Sequence, residues 1–346
     1  MTAPLIELRG VRQSYGAFTA LDTLTISLPD TAATLAIAGE SGSGKTTLAR
    51  IMLGFIKPTE GQVLYRGTDI ATMTKAERFQ FGREVQPIFQ DPFNMFNPFC
   101  RVDHLLTTPL RKFRLASTPA EARAKIEDAL SRVGLRPQDT HGRFPHELSG
   151  GQRQRIMVAR AVLLRPRLIV ADEPVSMVDA SLRATILDEI RDLNRDLGIA
   201  FVHITHDLTT AFQLCDDIVV LYQSRVAEAG AVEDVIGNPQ HPYSKLLVSS
   251  IPLPDLARRW GDGDLQADPA QANRKSLGCR FAPRCPAVMD RCWTSDPALT
   301  RPLPHRLLAC HLDGSDTMAG KDIATVLSGP QRRRNDNQRQ EQRKLQ

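Results

Sequence analysis

The sequence has no run of 18 consecutive apolar residues, so no segment is long enough to cross a bilayer as a single helix. Its start, MTAPLIELRG, lacks the basic residues, apolar stretch and cleavage site of a signal peptide. These absences lead us to expect a cytosolic chain that reaches a membrane only through partner proteins. The chain also has no internal repeat, so we expect one functional unit and not two copies.

A concentrated basic surface is missing too, although the formal net charge is +5. In residues 331–346, six Arg and Lys residues stand against Asp336 and Glu341, so this tail carries +4 of the charge. The rest is nearly neutral, whereas a nucleic-acid-binding surface would have a stronger basic excess. We therefore expect no nucleic acid partner and interpret residues 313–346 as a disordered basic tail.

Apolar patterning predicts an α/β fold. Residues 34–38, 168–171 and 201–205 are short apolar runs typical of strands buried on both faces. Residues 1–30 alternate apolar and polar positions, which predicts antiparallel strands with one wet face. Helical patterns between the buried runs indicate a mixed sheet core covered by helices. Residues 91–165, with a Pro/Phe/Asn-rich loop and helical patterns such as 119–133, are interpreted as an inserted, mostly helical subdomain.

Residues 39–46, GESGSGKT, fit the phosphate-loop pattern G-x-x-x-x-G-K-[ST] between a buried strand and a helical pattern. Glycines let backbone N–H groups surround a phosphate, and the helix N-terminus adds partial positive charge. We expect Lys45 to reach the β- and γ-phosphate oxygens and the Thr46 hydroxyl to bind Mg²⁺. The residues predicted here to bind the nucleotide are Gly39, Ser41, Gly42, Gly44, Lys45, Thr46 and Thr47.

Two carboxylates, Asp172 and Glu173, end the apolar run 168–171. In open α/β sheets this carboxyl edge is where nucleotides bind. Asp172 is therefore expected to hold Mg²⁺ through its water shell. Glu173 is expected to orient or deprotonate the attacking water.

The sequence LSGGQ at residues 148–152 precedes a helical pattern, and Ser149 is a good N-cap for it. With the two motifs above, it makes residues 1–250 resemble the nucleotide-binding domain of ATP-binding-cassette (ABC) transporters. The resemblance implies that one subunit's phosphate loop and its partner's LSGGQ motif enclose one ATP. The residues that would contact ATP from the partner's side are Ser149, Gly150, Gly151 and Gln152.

The same resemblance assigns four further positions in this sequence. It implies that Tyr15 stacks on adenine, and that Gln90 senses the γ-phosphate and binds Mg²⁺. His206 resembles the switch histidine that contacts the γ-phosphate, and Asp179 lies in a loop that contacts the other subunit. The implied catalytic residues are thus Lys45, Gln90, Glu173 and His206, with ATP and Mg²⁺ as cofactors.

Segments 85–92 (VQPIFQDP), 241–243 (HPY), 278–281 (GCRF) and 284–286 (RCP) resemble the ATPases of peptide and nickel importers. The helix start TTLAR resembles the second, F-type ATPase of such pairs. The resemblance implies two transmembrane permease subunits, a second ABC ATPase subunit and an extracytoplasmic solute-binding protein as partners. It also implies a peripheral position on the cytoplasmic face of the inner or plasma membrane.

Four of the six cysteines cluster near the C-terminus, at Cys279, Cys285, Cys292 and Cys310. Clustering in a cytosolic chain favours ligation over disulfides, and the absence of a C-x-x-C pair disfavours a structural zinc site. The importer resemblance implies a [4Fe–4S] cluster; zinc and reduced structural thiols remain alternatives.

The predicted organisation is a cassette at 1–250, a linker at 251–277, a four-cysteine module at 278–312 and the tail. Three alternative functions fit the sequence less well: a soluble ABC ATPase acting on nucleic acid or the ribosome, an ABC exporter subunit, and a non-hydrolysing regulatory cassette. The first usually needs two cassettes or a coiled-coil insertion, and the cysteine module disfavours the second. The third would be expected to lack Glu173 or His206, and both are present.

Overall fold

The structure, a computed structural model, describes residues 3–91, 95–176, 178, 180–251 and 276–313. The predicted linker lies largely outside these residues, as does the predicted tail beyond Asp313. Within the described parts of the chain, no helix combines the length and apolar character that a bilayer span needs.

The described strands belong to two sheets. In chain order they are Ile6–Tyr15 (β1), Phe18–Leu28 (β2), Thr34–Ala38 (β3), Glu60–Tyr65 (β4), Thr68–Asp69 (β5), Val85–Ile88 (β6), Leu168–Asp172 (β7), Ala200–Thr205 (β8), Asp217–Tyr222 (β9), Arg225–Ala231 (β10), Thr300–Leu303 (β11) and Arg306–Leu308 (β12).

Helices cover the sheets and form most of the segment between β6 and β7. In chain order they are Lys45–Met52 (α1), Lys75–Glu84 (α2), Val102–Lys112 (α3), Pro119–Arg132 (α4), Pro137–Thr140 (α5), Gly150–Val162 (α6), Ala180–Leu197 (α7), Leu208–Leu214 (α8), Val232–Gly237 (α9), Pro242–Ser249 (α10) and Asp290–Thr294 (α11). Short 3₁₀ turns occur at Pro145–Glu147, Ala282–Arg284 and His311–Asp313.

The larger sheet has the strand order β11-β12-β10-β9-β3-β8-β7-β6. Its strands β9, β3, β8, β7 and β6 run parallel, and the three strands at the other edge are antiparallel. The central strands β3 and β8 are buried along their whole length, which explains their unbroken apolar sequences. The predicted mixed α/β core is confirmed.

The smaller sheet, in the order β2-β1-β4-β5, is antiparallel. Strand β1 alternates buried and more exposed positions, as expected for a sheet with one wet face. Its buried side chains share a hydrophobic core with α1 and β3. The prediction of antiparallel strands within residues 1–30 is therefore confirmed. This sheet packs against α1, the helix that follows the phosphate loop.

The inserted segment is helical as predicted, and α3, α4 and α6 share one apolar core. Helix α4 begins at Pro119 after the N-cap Thr118, whose hydroxyl accepts from the Glu121 N–H, and it ends at Arg132. The helix predicted at 119–133 is confirmed to within one residue.

The region that carries the four clustered cysteines is joined to the larger sheet, a feature that the sequence patterns did not predict. Strand β12 pairs antiparallel with β10, placing Leu307 opposite Ala229. Arg306 and Glu228, both buried, form an ion pair at 3.4 Å across these strands. We call residues 276–313 the C-terminal extension; it continues the core sheet at the edge beyond β9 and β10.

Candidate active site

A cleft of about 580 Å³ opens at the carboxyl ends of β3, β7 and β8. It combines the phosphate loop with the carboxylates after β7 and the histidine after β8. The residues lining it are Phe18, Ala20, Ser41, Gly42, Gly44, Lys45, Thr46, Thr47, Gln90, Asp172, Glu173 and His206. Three separate sequence motifs therefore meet at one sheet edge, as in other nucleotide-binding α/β folds.

Two glycines shape the phosphate loop. Gly44 has φ of 105°, and a Cβ there would lie 2.3 Å from the Ala20 carbonyl oxygen. At Gly39 a Cβ would lie 2.2 Å from the Leu221 carbonyl oxygen. Only residues without a side chain fit these positions, because the loop runs directly against neighbouring backbone.

Lys45 begins α1, and its ammonium group points back into the loop. Its Nζ donates to the carbonyl oxygens of Gly39 and Glu40, each at 2.7 Å. Burial lowers the pKa of Lys45, while the carboxylates of Glu173, Asp172 and Glu40 favour its charged form. The loop thus holds a positive charge where phosphate oxygens would lie.

Glu173 is held at the mouth of the cleft by two side chains. Gln90 Nε2 donates to Glu173 Oε2 at 2.7 Å, and His206 Nδ1 lies 2.7 Å from Glu173 Oε1. The Glu173 backbone has φ of 47°, an unusual conformation for a residue with a side chain, and its N–H donates to the Ile204 carbonyl. The carboxylate is therefore fixed in direction by the strands beside it.

Asp172 contacts the Thr46 hydroxyl deeper in the cleft. Burial raises the pKa of Asp172, whereas the hydrogen bond to Thr46 and the charge of Lys45 lower it. The hydroxyl, the carboxylate and the amide oxygen of Gln90 are hard oxygen donors of the kind that Mg²⁺ prefers. This donor set fits a Mg²⁺ ion bound together with a phosphate group.

Comparisons with known proteins agree with this geometry. A family model described as ABC transporter matches residues 21–176, and one described as the oligopeptide/dipeptide transporter C-terminal region matches 227–292. A Brucella ovis protein whose name describes a peptide import ATP-binding protein is 41% identical over 315 residues, 90% of this chain and 98% of its own. The chain belongs to the ABC transporter ATP-binding family. Family membership makes it an ATPase.

Two other similar proteins extend this result. The oligopeptide transport ATP-binding protein AppF of Bacillus subtilis is 36% identical over 329 residues, covering 89% of this chain and 97% of AppF. The ATP-binding cassette MJ0796, in a dimeric post-hydrolysis structure with ADP and Pi, has 26% identity and a TM-score of 0.60. The alignment covers 66% of this chain and 98% of the MJ0796 chain. The ABC subunit therefore contains a region equivalent to that cassette and further residues outside it.

The LSGGQ motif of this ABC subunit opens α6, as predicted, but its residues do not line the cleft. Ser149 Oγ accepts from the Gln152 N–H at 3.2 Å, and the Gln152 side chain accepts from the Ser149 N–H at 2.9 Å. This capping box satisfies two backbone donors and fixes the first turn. Gly150 and Gly151 add no side chain to that turn.

Two further positions were assigned from the sequence, Tyr15 to the adenine and Asp179 to the subunit contact. Tyr15 is about half exposed at the tip of the β1–β2 hairpin and is not among the cleft-lining residues. Its strand partner Phe18, which the sequence patterns did not indicate, does line the cleft. The sequence could have indicated Phe18, because it is a second aromatic residue only three positions after Tyr15. Asp179 lies outside the described residues.

The four clustered cysteines of the ABC subunit are all free thiols. Cys279, Cys285 and Cys292 lie near enough to Cys310 to interact with it electrostatically, and burial raises the pKa of Cys310 to about 11. Across the described ranges, however, no three His, Cys, Asp or Glu side chains form a group that could hold a metal ion. The predicted [4Fe–4S] cluster is therefore not supported by the arrangement of these side chains.

Proposed function

We propose that this chain is the ATP-hydrolysing subunit of an ABC importer for peptides or a related small solute. The observation that carries the proposal is the fixed Glu173 carboxylate, held by Gln90 and His206 beside the phosphate loop. Such a constellation fits phosphoryl transfer to water, in which a protein contributes mainly positioning and charge stabilisation.

The phosphate loop would bind the polyphosphate of ATP. Residues of the loop and of the first turn of α1 line the cleft, and Lys45 would move from the carbonyls of Gly39 and Glu40 to phosphate oxygens. Ser43 adds a buried hydroxyl that has no hydrogen-bond partner among the described residues. Phe18 and Tyr15, at the hairpin tip, are the aromatic side chains available to the adenine.

Mg²⁺, when bound, would neutralise charge on the β- and γ-phosphates. Thr46, Asp172 and Gln90 are the residues that would hold it, directly or through water. The Thr46–Asp172 contact keeps two of these donors together.

Glu173 would accept a proton from the attacking water, or orient that water towards the γ-phosphate. Gln90 and His206 occupy one carboxylate oxygen each, which leaves the remaining lone pairs of both oxygens for water. His206 is 62% exposed at its side chain, so it can also contact the γ-phosphate.

A second subunit would complete the ATP site. The LSGGQ residues lie outside the cleft of their own chain, yet their helix N-terminus suits a phosphate. The dimeric MJ0796 structure bound to ADP and Pi supports a paired arrangement. We propose that this chain pairs with a second, different ABC ATPase, with Asp179 near the contact.

The importer assignment rests on the C-terminal family match and on relatives named for peptide import. It implies two permease subunits, an extracytoplasmic solute-binding protein and a peripheral position on the cytoplasmic membrane face. The proposed organisation is a cassette at 1–250, a linker at 251–277, the cysteine module at 278–312 and the tail after it. The exporter and nucleic-acid alternatives have no comparable support.

The [4Fe–4S] cluster stays a prediction from the sequence resemblance, and no step of hydrolysis uses it. Anaerobic purification of the full chain, followed by iron and acid-labile sulfide analysis, tests it. About four of each per chain would support the cluster. Their absence from anaerobic protein would refute the cluster and leave zinc or reduced structural thiols as the alternatives.

The importer function is tested by affinity purification of the tagged chain from detergent-solubilised host membranes. We expect two permease chains, a second ABC ATPase and a solute-binding protein to be identified by mass spectrometry. Recovery of ribosomes or nucleic acid without membrane proteins would contradict the importer assignment.

A further inference from the structure

One residue of the phosphate loop, Glu40, is held by two segments distant in the sequence, α10 and the C-terminal extension. Its backbone N–H donates to the Tyr243 hydroxyl at 2.8 Å. Its carboxylate forms a two-point ion pair with Arg284, in which Nη1 and Nη2 each lie 2.8 Å from one oxygen. Arg284 belongs to the C-terminal extension, 244 residues from Glu40 in the sequence.

Glu40 lies inside the phosphate loop and is joined to its central lysine. Its carbonyl oxygen accepts from Lys45 Nζ, so a shift of the Glu40 backbone would also shift the carbonyls around that ammonium group. Its carboxylate also adds a negative charge to a loop that must accept a polyphosphate. A carboxylate without a cation would repel phosphate oxygens, whereas a paired one repels them much less.

Arg284 is itself fixed in position by aromatic rings. Its guanidinium carbon lies 5.8 Å from the ring centroids of both Tyr222 and Phe281. Those rings pack on each other and on Tyr243, at centroid distances of 4.5 to 5.6 Å. We call Tyr222, Tyr243 and Phe281 the aromatic cluster; it joins β9, α10 and the extension behind the phosphate loop.

Backbone hydrogen bonds fix the turn that carries Arg284. Arg284 ends the 3₁₀ turn Ala282–Arg284, and its N–H donates to the Phe281 carbonyl at 2.9 Å. Cys279 and Cys285 border this turn, since the Ala282 N–H donates to the Cys279 carbonyl and the Cys285 N–H to the Ala282 carbonyl. The position of the guanidinium group therefore depends on the fold of the extension.

We propose that Arg284 is a positioning residue for the phosphate loop, through which the C-terminal extension takes part in Mg-ATP binding by its own chain. The inference rests on the proposed function, because it concerns the same nucleotide site. Arg284 touches no reacting atom; it neutralises Glu40 and fixes the loop for Lys45. An arginine is required because only its planar group makes two parallel contacts with a carboxylate.

The test is isothermal titration of Mg-ATP into the full-length chain and four variants. Arg284→Gln should raise the Kd about threefold to tenfold, a modest change because both side chains of the pair are about two-fifths exposed. Arg284→Lys should fall between this variant and the wild type. The control Arg301→Gln, on β11 four strands from β3, should leave the Kd unchanged.

The decisive variant is the double substitution Glu40→Gln with Arg284→Gln. Because it removes the unpaired carboxylate, it should recover most of the affinity that Arg284→Gln loses. An unchanged Kd in Arg284→Gln, or a double variant as weak as Arg284→Gln, would overturn the proposal. If Arg284→Gln fails to fold in a thermal melt, the Kd values of Arg284→Lys and the double variant test the proposal in its place. Failure of the wild type to bind Mg-ATP would instead refute the proposed function.

Discussion

At the residue scale, the phosphate loop depends on a hydrogen bond to Tyr243, which lies 203 residues from Glu40 in the sequence. The buried Tyr243 hydroxyl is the acceptor for the Glu40 N–H. Tyr243→Phe leaves that N–H without its acceptor and keeps the ring. We expect a loss of about 1 kcal/mol in the free energy of unfolding, measured by urea denaturation. A variant as stable as the wild type would show that water replaces the hydroxyl. The control Tyr15→Phe alters an exposed ring and should not change stability.

His203 is a second residue whose environment makes a measurable prediction. It lies in the central strand β8, 2% exposed, and its Nε2 has no hydrogen-bond partner within the part of the chain that the structure describes. Burial lowers its pKa to about 4 from 6.5, so the unfolded chain binds the proton more tightly between these values. Its contribution to stability is therefore present above pH 6.5 and is lost as the pH falls towards 4.

His203→Leu removes this titration and keeps an apolar side chain of similar size. Lowering the pH from about 7.5 to about 4.5 should therefore destabilise the wild type more than the variant. We expect the difference in the free energy of unfolding to shift by about 1–3 kcal/mol in favour of the variant. Urea denaturation at both pH values measures the difference. An equal stability difference at the two values would mean that His203 does not titrate on unfolding.

At the scale of elements, β12 is attached to the core by a buried ion pair. Glu228 is fully buried and accepts from the N–H groups of Gln240 and His241 as well as pairing with Arg306. Burial raises the pKa of Glu228, and these contacts lower it. Arg306 also donates to the carbonyls of Asn238 and Asp234, which joins β12 to the end of α9.

Arg306→Met should therefore destabilise the chain by about 3–5 kcal/mol, because it leaves a buried carboxylate without a cation. Adding Glu228→Gln should restore part of that loss. The matched control Arg132→Ala breaks an exposed pair with Asp128 and should cost less than about 1 kcal/mol. Urea denaturation compares the three. A loss in Arg306→Met no larger than in the control would contradict the role of this pair.

At the scale of the whole molecule, local motifs predicted the cassette well. The phosphate loop, the carboxylates after β7 and the histidine after β8 each follow a buried strand, and parallel strands bring their carboxyl ends to one edge. The LSGGQ helix was predictable because Ser149 and Gln152 form a local capping box. Each of these signals lies within a few residues of the chain.

The contacts that the sequence did not reveal join distant segments. Pairing of β12 with β10 depends on three residues of each strand, too few for a periodic pattern. The Glu40–Arg284 pair joins two ordinary charged residues that lie 244 residues apart in the sequence. Such long-range contacts have no local signature, so only the assembled structure showed them.

The central claim is that this subunit hydrolyses ATP with Glu173 as the group that activates water. The most direct measurement is phosphate release from Mg-ATP by the full chain, wild type or Glu173→Gln, assembled with a hydrolysis-deficient form of its partner ATPase, so that all phosphate comes from the site on this chain's phosphate loop. We predict that the variant binds Mg-ATP with unchanged affinity and hydrolyses it at least about 100-fold more slowly. Hydrolysis by Glu173→Gln at the wild-type rate would contradict the account.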